Sequence, residues 1–377
     1  MSKVTCAICG ELLIPENDSL EHVIPEAIGG RLRIRGFICK RCNSSAGHTW
    51  DAELASQLHP LSLLFEVARQ QGSTPSLSIT TTAGEELAMK PGGGFTLTKP
   101  SFSKEQTPSG FKIQITARTL EEAKGMLAGL KRKFPKLDVN EVLRGAQIST
   151  SYPKGLVHHQ LEFGGDASGR SIVKSVLALA HHAGVPTGGC QDALAYLRDP
   201  AGSPCFGYYY ASDLVTNRPA EVPLHCVGID ANPESGLILG YAEYYGLQRV
   251  VLCLGRNYSG ERLRACHAVD PRSGVQLDLS VQLSFSESDI QEIYDYKMIP
   301  DGAVSNAFAE VLPAALKRQF EVERSRVIDQ AVAYAFANCG AKPGEMLTKE
   351  HIQKLSRLVA EKITPFVLHH RAKRDPP

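Results

Sequence analysis

Apolar residues along this chain change their spacing several times, and each change marks an element. Leu54, Leu58, Leu61, Leu64, Phe65 and Ala68 recur at three- and four-residue steps. That spacing lines one face of a helix, so a helix is predicted over 43–71, broken or kinked at Pro60. Short strand-like runs follow over 77–82 and 95–98, and strict alternation over 111–117 reads as a further strand. An amphipathic helix is predicted over 120–134, with Thr119 as its N-cap. A strand is expected over 158–163, then a strongly apolar helix over 171–183, stopped by Gly184. Arg170 and Lys174 at its start are expected to face solvent or to hold an anion. Four β-type runs (224–229, 237–245, 249–254 and 265–269) and a fifth over 275–283 predict an antiparallel meander. Helical spacing returns over 307–338 and 349–369.

These elements imply an α+β chain of several parts. A small N-terminal module with its following helix occupies 1–71, and a small α+β subdomain occupies 73–150. An antiparallel-sheet domain with helices occupies 151–300, and a helical region with a basic tail occupies 301–377. Composition agrees with a globular protein: 377 residues, 43% hydrophobic and 21% charged. No apolar run of about twenty residues exists, and the start of the chain lacks a leader pattern; a cytoplasmic protein that does not engage membranes is expected. Net charge is only +1, so any surface for a polyanion must be a local patch.

The chemistry concentrates at the N-terminus. Cys6-Ala7-Ile8-Cys9 and Cys39-Lys40-Arg41-Cys42 are two CxxC knuckles about thirty residues apart, able to supply four thiolates to one tetrahedral Zn²⁺. Scattered buried cysteines are the alternative. Between the knuckles lies Glu21-His22 in a β-type run, and Asn43 directly follows the last cysteine. If zinc pins the knuckles together, His22 and the start of the helix at Asn43 can face one another. Neutral imidazole can deprotonate a water near pH 7. A divalent cation held by carboxylate and amide oxygens stabilises the charge that develops on a phosphate in hydrolysis.

With Glu21-His22-Val23-Ile24-Pro25, Gly29-Gly30 and Cys-x-x-Cys-Asn, residues 6–51 resemble the HNH endonuclease superfamily. The likeness is to its four-cysteine, endonuclease VII-like branch and to bacterial members in which Glu replaces the usual Asp. The resemblance implies a ββα-metal fold in which Cys6, Cys9, Cys39 and Cys42 hold structural Zn²⁺. It implies His22 as general base, with Glu21 and Asn43 as ligands of a catalytic cation, Mg²⁺ or similar. DNA is the implied substrate, with RNA as the alternative, and a binding zinc ribbon without catalysis is the competing reading. Many such proteins carry a structural Asn on the second strand; near Ile34 and Arg35 this chain has none, so either Arg35 or a backbone group tethers the loop or the site is less rigid.

His48, in the first turns of the same helix, is either a further ligand, a phosphate contact or an exposed helical histidine. Asp51 either braces the zinc module or solvates that helix, and solvation is expected. Arg31, Arg33 and Arg35 alternate and would project from one face of a strand; with Lys40 and Arg41 they are candidate phosphate contacts that position without reading sequence. The remaining cysteines and the aromatic runs at 206–210 and 241–245 read as core.

Overall fold

The computed structural model describes residues 4–92, 94–108, 110–135, 137–147 and 151–374. The chain divides into two compact units, Met1–Pro75 with Gln160–Leu316, and Ser76–His159 with Lys317–Pro377.

The first unit begins with two short antiparallel strands, β1 (Glu21–His22) and β2 (Arg33–Ile34), followed by α1 (Lys40–Ala46) and α2 (Ala52–Leu64). The intervening turn, Gly47–Asp51, has the wider π-helical winding, so α1 and α2 run on as one rod. Pro60 does not break this helix; it ends at Leu64 instead, where Phe65 turns out of the helical conformation and Glu66 takes a φ of 54°. The predicted 65–71 portion is therefore not helical.

Behind the module lies α3 (Asp166–His182), buried on every side from Ser168 to Ala180. A helix buried all round must have neighbours on opposite faces. Here α2 covers one side and a six-stranded sheet the other. The sheet comprises β3 (Phe206–Tyr208), β4 (His225–Asn232), β5 (Leu237–Tyr244), β6 (Gln248–Gly255), β7 (Leu263–Asp270) and β8 (Val275–Leu277), in the order β8-β7-β4-β5-β6-β3. All pairs are antiparallel, as expected, but β7 returns beside β4 rather than continuing the meander past β6. Period-two alternation sorts the side chains between two cores. Val227, Ile229 and Ala231 face α3, while Cys226, Leu239 and Tyr241 face a second cluster with Leu283, Ile290 and Ile293. Two short helices, α4 (Gln191–Arg198) and α5 (Glu287–Tyr294), complete the cover. At Gly240 a side chain is excluded: a Cβ there would lie 2.4 Å from Val176 of α3. The strand expected over 158–163 does not form.

The second unit holds a three-stranded antiparallel sheet (Leu77–Thr80, Glu86–Met89, Phe95–Leu97), a hairpin (Ser101–Thr107 with Gly110–Thr116) and the helix Leu120–Lys133. Thr119 caps that helix through a bond from the Glu122 amide, as the sequence predicts. The long helix Ala303–Asn338 is divided between the units, and Phe320 stacks on Phe366 of the terminal helix Lys349–Arg374 at 5.5 Å between ring centres. Among the described residues no helix is long and apolar enough to cross a membrane.

Candidate metal centre and hairpin site

The four knuckle cysteines come together. Their sulfurs all lie within 4.8 Å of one another, with Cys9 and Cys39 Sγ 3.8 Å apart. Sulfurs on a tetrahedral Zn²⁺, each about 2.3 Å from the ion, sit roughly 3.8 Å from each other. The donor set therefore fits zinc. Local bonds hold the knuckles in place. Cys39 is the N-cap of α1, and its sulfur accepts from the Cys42 amide. The Ala7 carbonyl, inside the first knuckle, accepts two bonds from Arg198 of α4, at 3.1 and 2.8 Å.

The β1–β2 register fixes where the site residues point. Glu21 is opposite Ile34 and His22 opposite Arg33. Directly opposed residues share a face and neighbours alternate, so Glu21 and Ile34 go inward and His22 and Arg33 outward. His22 is half-buried, with Nε2 3.4 Å from Gln70 Oε1. Burial pushes its imidazole down, with the Arg33 charge adding to the effect and the Gln70 bond opposing it. Gln70 is held in turn by Glu26, whose carboxylate accepts from the Gln70 and Gln71 amides at 2.6 and 3.2 Å. The loop that brings Glu26 there needs Gly30, since a Cβ would lie 1.7 Å from the Ile24 carbonyl oxygen. Backbone bonds tether this loop where the resemblance expects an Asn: Val23 N donates to Leu32 O, and Gly30 N to Pro25 O. Arg35 instead pairs with Asp18 at 3.7 Å.

Asn43 lies on α1, its Nδ2 donating to Ser19 Oγ at 2.5 Å. It lines an open hollow of about 370 Å³ with Ser19, Lys40, Ser44, Gly47 and His48. His48 is exposed and its Nδ1 donates to the Ser44 carbonyl at 2.7 Å, which leaves Nε2 as an acceptor.

Glu21 has a partner that the sequence reading did not foresee. It is 3% exposed, and its Oε1 accepts from Lys174 Nζ of α3. The same ammonium donates to Asp51 Oδ2 at 2.8 Å, and Ser171 Oγ donates to Asp51 Oδ1 at 2.6 Å. Burial disfavours the charged lysine, but Asp51 and Glu21 outweigh it and hold Lys174 above the ordinary lysine range. Burial pushes the Glu21 carboxyl up, against the pull of that ammonium. Lys174 thus faces no solvent and no anion from outside, and Asp51 braces the module rather than solvating the helix. Among the described residues no hydrogen bond joins any two of Glu21, His22 and Asn43. A divalent ion on Glu21 would sit beside a buried ammonium, so Glu21 and Asn43 do not fit a shared cation in this arrangement.

The basic residues divide as well. Arg31 is turned back, donating to the Ala68 carbonyl and packing on Gly274. Lys40 donates to the Glu16 carbonyl at 2.7 Å, and Arg41 lies 4.0 Å from Glu11. Arg33 is exposed on the His22 face.

Gln70 is a polar partner that the sequence did not single out, and nothing in the sequence pairs Lys174 with Glu21 and Asp51. The approach of Gln70 to His22 spans 48 residues and that of Lys174 to Glu21 spans 153. No local spacing carries either. Comparison with known proteins gives one result: residues 6–59 match the family model described as HNH endonuclease. No curated protein and no solved structure matches the chain.

Proposed function

We propose that this chain is an HNH nuclease that hydrolyses phosphodiester bonds of DNA, with His22 as the general base. The family match over residues 6–59 carries this reading, and the fit of four sulfurs to zinc around β1, β2 and α1 supports it. Burial keeps the His22 imidazole neutral near pH 7, the form able to take a proton from water. With Nε2–H donating to Gln70 Oε1, Nδ1 keeps its lone pair for that proton. Arg33, beside His22 on the open face, supplies a guanidinium to the phosphate backbone.

The family resemblance also implies Mg²⁺ or a similar cation. Asn43 and His48, opening on one hollow, would hold such an ion here, and Glu21 is engaged by Lys174 instead. One observation favours the competing reading of a zinc module that binds without cutting: the Glu21 carboxylate is engaged by Lys174 in the core. Incubation with plasmid DNA and with RNA, in Mg²⁺ or Mn²⁺, separates the readings. Cleavage by the wild type and none by a zinc-loaded His22→Ala variant is expected; equal behaviour of the two would leave the binding module standing.

A further inference from the structure

Lys174 has no exposed surface, although it sits on a helix whose other buried residues are mostly apolar or small. An ammonium survives such burial only when countercharges surround it. Here the countercharges come from two separate elements. Glu21 is on β1, next to His22; Asp51 is on the rod formed by α1 and α2, two turns beyond Asn43. Ser171, one turn before Lys174 on α3, fixes the second oxygen of Asp51. The three charged groups therefore join the strand bearing the proposed base to the helix bearing Asn43, through a residue of a third element. Losing either carboxylate strips the buried ammonium of one of its two countercharges.

We propose that Lys174 is a positioning residue of the nuclease site: its ammonium ties Glu21 to Asp51 and so fixes His22 relative to Asn43. This rests on the nuclease reading above. Glu21 then serves as an internal acceptor rather than as a ligand of a catalytic cation. The two roles differ in what they do to kinetics. Losing a ligand raises the metal concentration needed for half-maximal rate, whereas losing a positioning group lowers the rate at saturating metal.

The full chain is compared with Lys174→Met, Glu21→Gln, their double variant and His22→Ala. Plasmid cleavage is measured over a Mn²⁺ series, zinc content is assayed, and amide exchange is followed for residues 19–24 and 47–52. For Lys174→Met the expected result is a loss of at least about tenfold in saturated rate, with half-saturating Mn²⁺ unchanged within about twofold. Zinc is retained and exchange quickens in both segments. Glu21→Gln changes in the same direction, and the double variant is no worse than Lys174→Met, because both act through one bond. A normal rate and normal exchange in Lys174→Met would overturn the proposal. So would a Glu21→Gln variant that needs about tenfold more Mn²⁺ but reaches the wild-type rate. If Lys174→Met does not fold, Glu21→Gln, which keeps shape and an acceptor, still decides between the two roles. If wild type and His22→Ala cleave alike, the nuclease reading fails separately, and the exchange data alone judge the tie between the two elements.

Discussion

His22 and Arg33 are direct cross-strand partners, and both side chains leave the hairpin on its open face while Glu21 and Ile34 turn into the core. A base beside an exposed cation suits a polyanionic substrate. Removal of His22 as Ala should lower cleavage at least about 100-fold with zinc content unchanged. Removal of Arg33 should instead weaken binding across sequences and reduce the salt slope by about one ion. Plasmid cleavage and binding titrations at several salt concentrations check the pair; an Arg33→Ala variant with the wild-type salt slope would remove Arg33 from the interface.

Trp50 is the sole tryptophan and lies in the π-wound turn, packed against the core that the knuckles share. It reports on the core that the zinc module shares with the rest of the first unit. Chelation, or Cys42→Ser, should red-shift its emission and lower the midpoint of thermal unfolding by more than about 10 °C, since structural zinc contributes several kcal/mol or more to folding. Unchanged emission after complete zinc removal would mean that the module folds without metal.

His225 is fully buried on β4. Its Nδ1 accepts from the Tyr245 amide at 3.1 Å, so Nε2 carries the proton and donates to the Ile28 carbonyl at 2.7 Å. Burial pushes it down to about 4. The folded pKa lies below the unfolded one, near 6.5, so the unfolded chain binds the extra proton between them. Stability is complete above about pH 6.5 and falls as pH drops toward 4, by up to about 3 kcal/mol for this group. Burial pushes His22, His181 and His267 in the same direction. Urea midpoints measured from pH 7 to 4.5 should decline steadily; a flat profile would contradict the neutral buried state.

Gly30→Ala should destabilise the first unit by about 1–3 kcal/mol or more, because the added Cβ meets the Ile24 carbonyl oxygen at 1.7 Å and the loop must open. Urea denaturation measures it. Opening that loop also moves Glu26, and with it Gln70, so activity should fall further than stability alone accounts for.

The four-cysteine cluster and the family match over residues 6–59 were legible because they rest on short motifs whose spacing is itself chemical: two CxxC turns, an acid-His pair, an Asn after the last cysteine. The antiparallel sheet was legible from consecutive short β-type runs with tight connections, 237–245 among them. What failed was whatever depends on distant partners. Lys174 reads as a solvent-facing helix residue until Glu21 and Asp51 are brought to it from the other end of the first unit. Asp51 reads as a surface acid for the same reason. Arg31, placed by alternation with Arg33 and Arg35, is drawn out of line by the Ala68 carbonyl. Pro60 predicts a break or a kink, yet a helix continues through it because neighbouring Leu58, Leu61 and Leu63 are wholly packed. Tertiary burial overrides local preference there.

Residues 76–159 stand in the chain between the zinc-binding segment and the lysine that neutralises its inner face. A ribosome that has just released residue 75 has produced Glu21, Asp51 and the hydrophobic faces of Leu54 and Leu58, but neither the cation nor α3, which packs on α2. Those faces stay uncovered until about 110 further residues have emerged, roughly five to twenty seconds of synthesis at ordinary elongation rates. The segment is thus a poor candidate for excision as a portable cutting tool, and nascent chains stalled in that interval are the ones most in need of a chaperone.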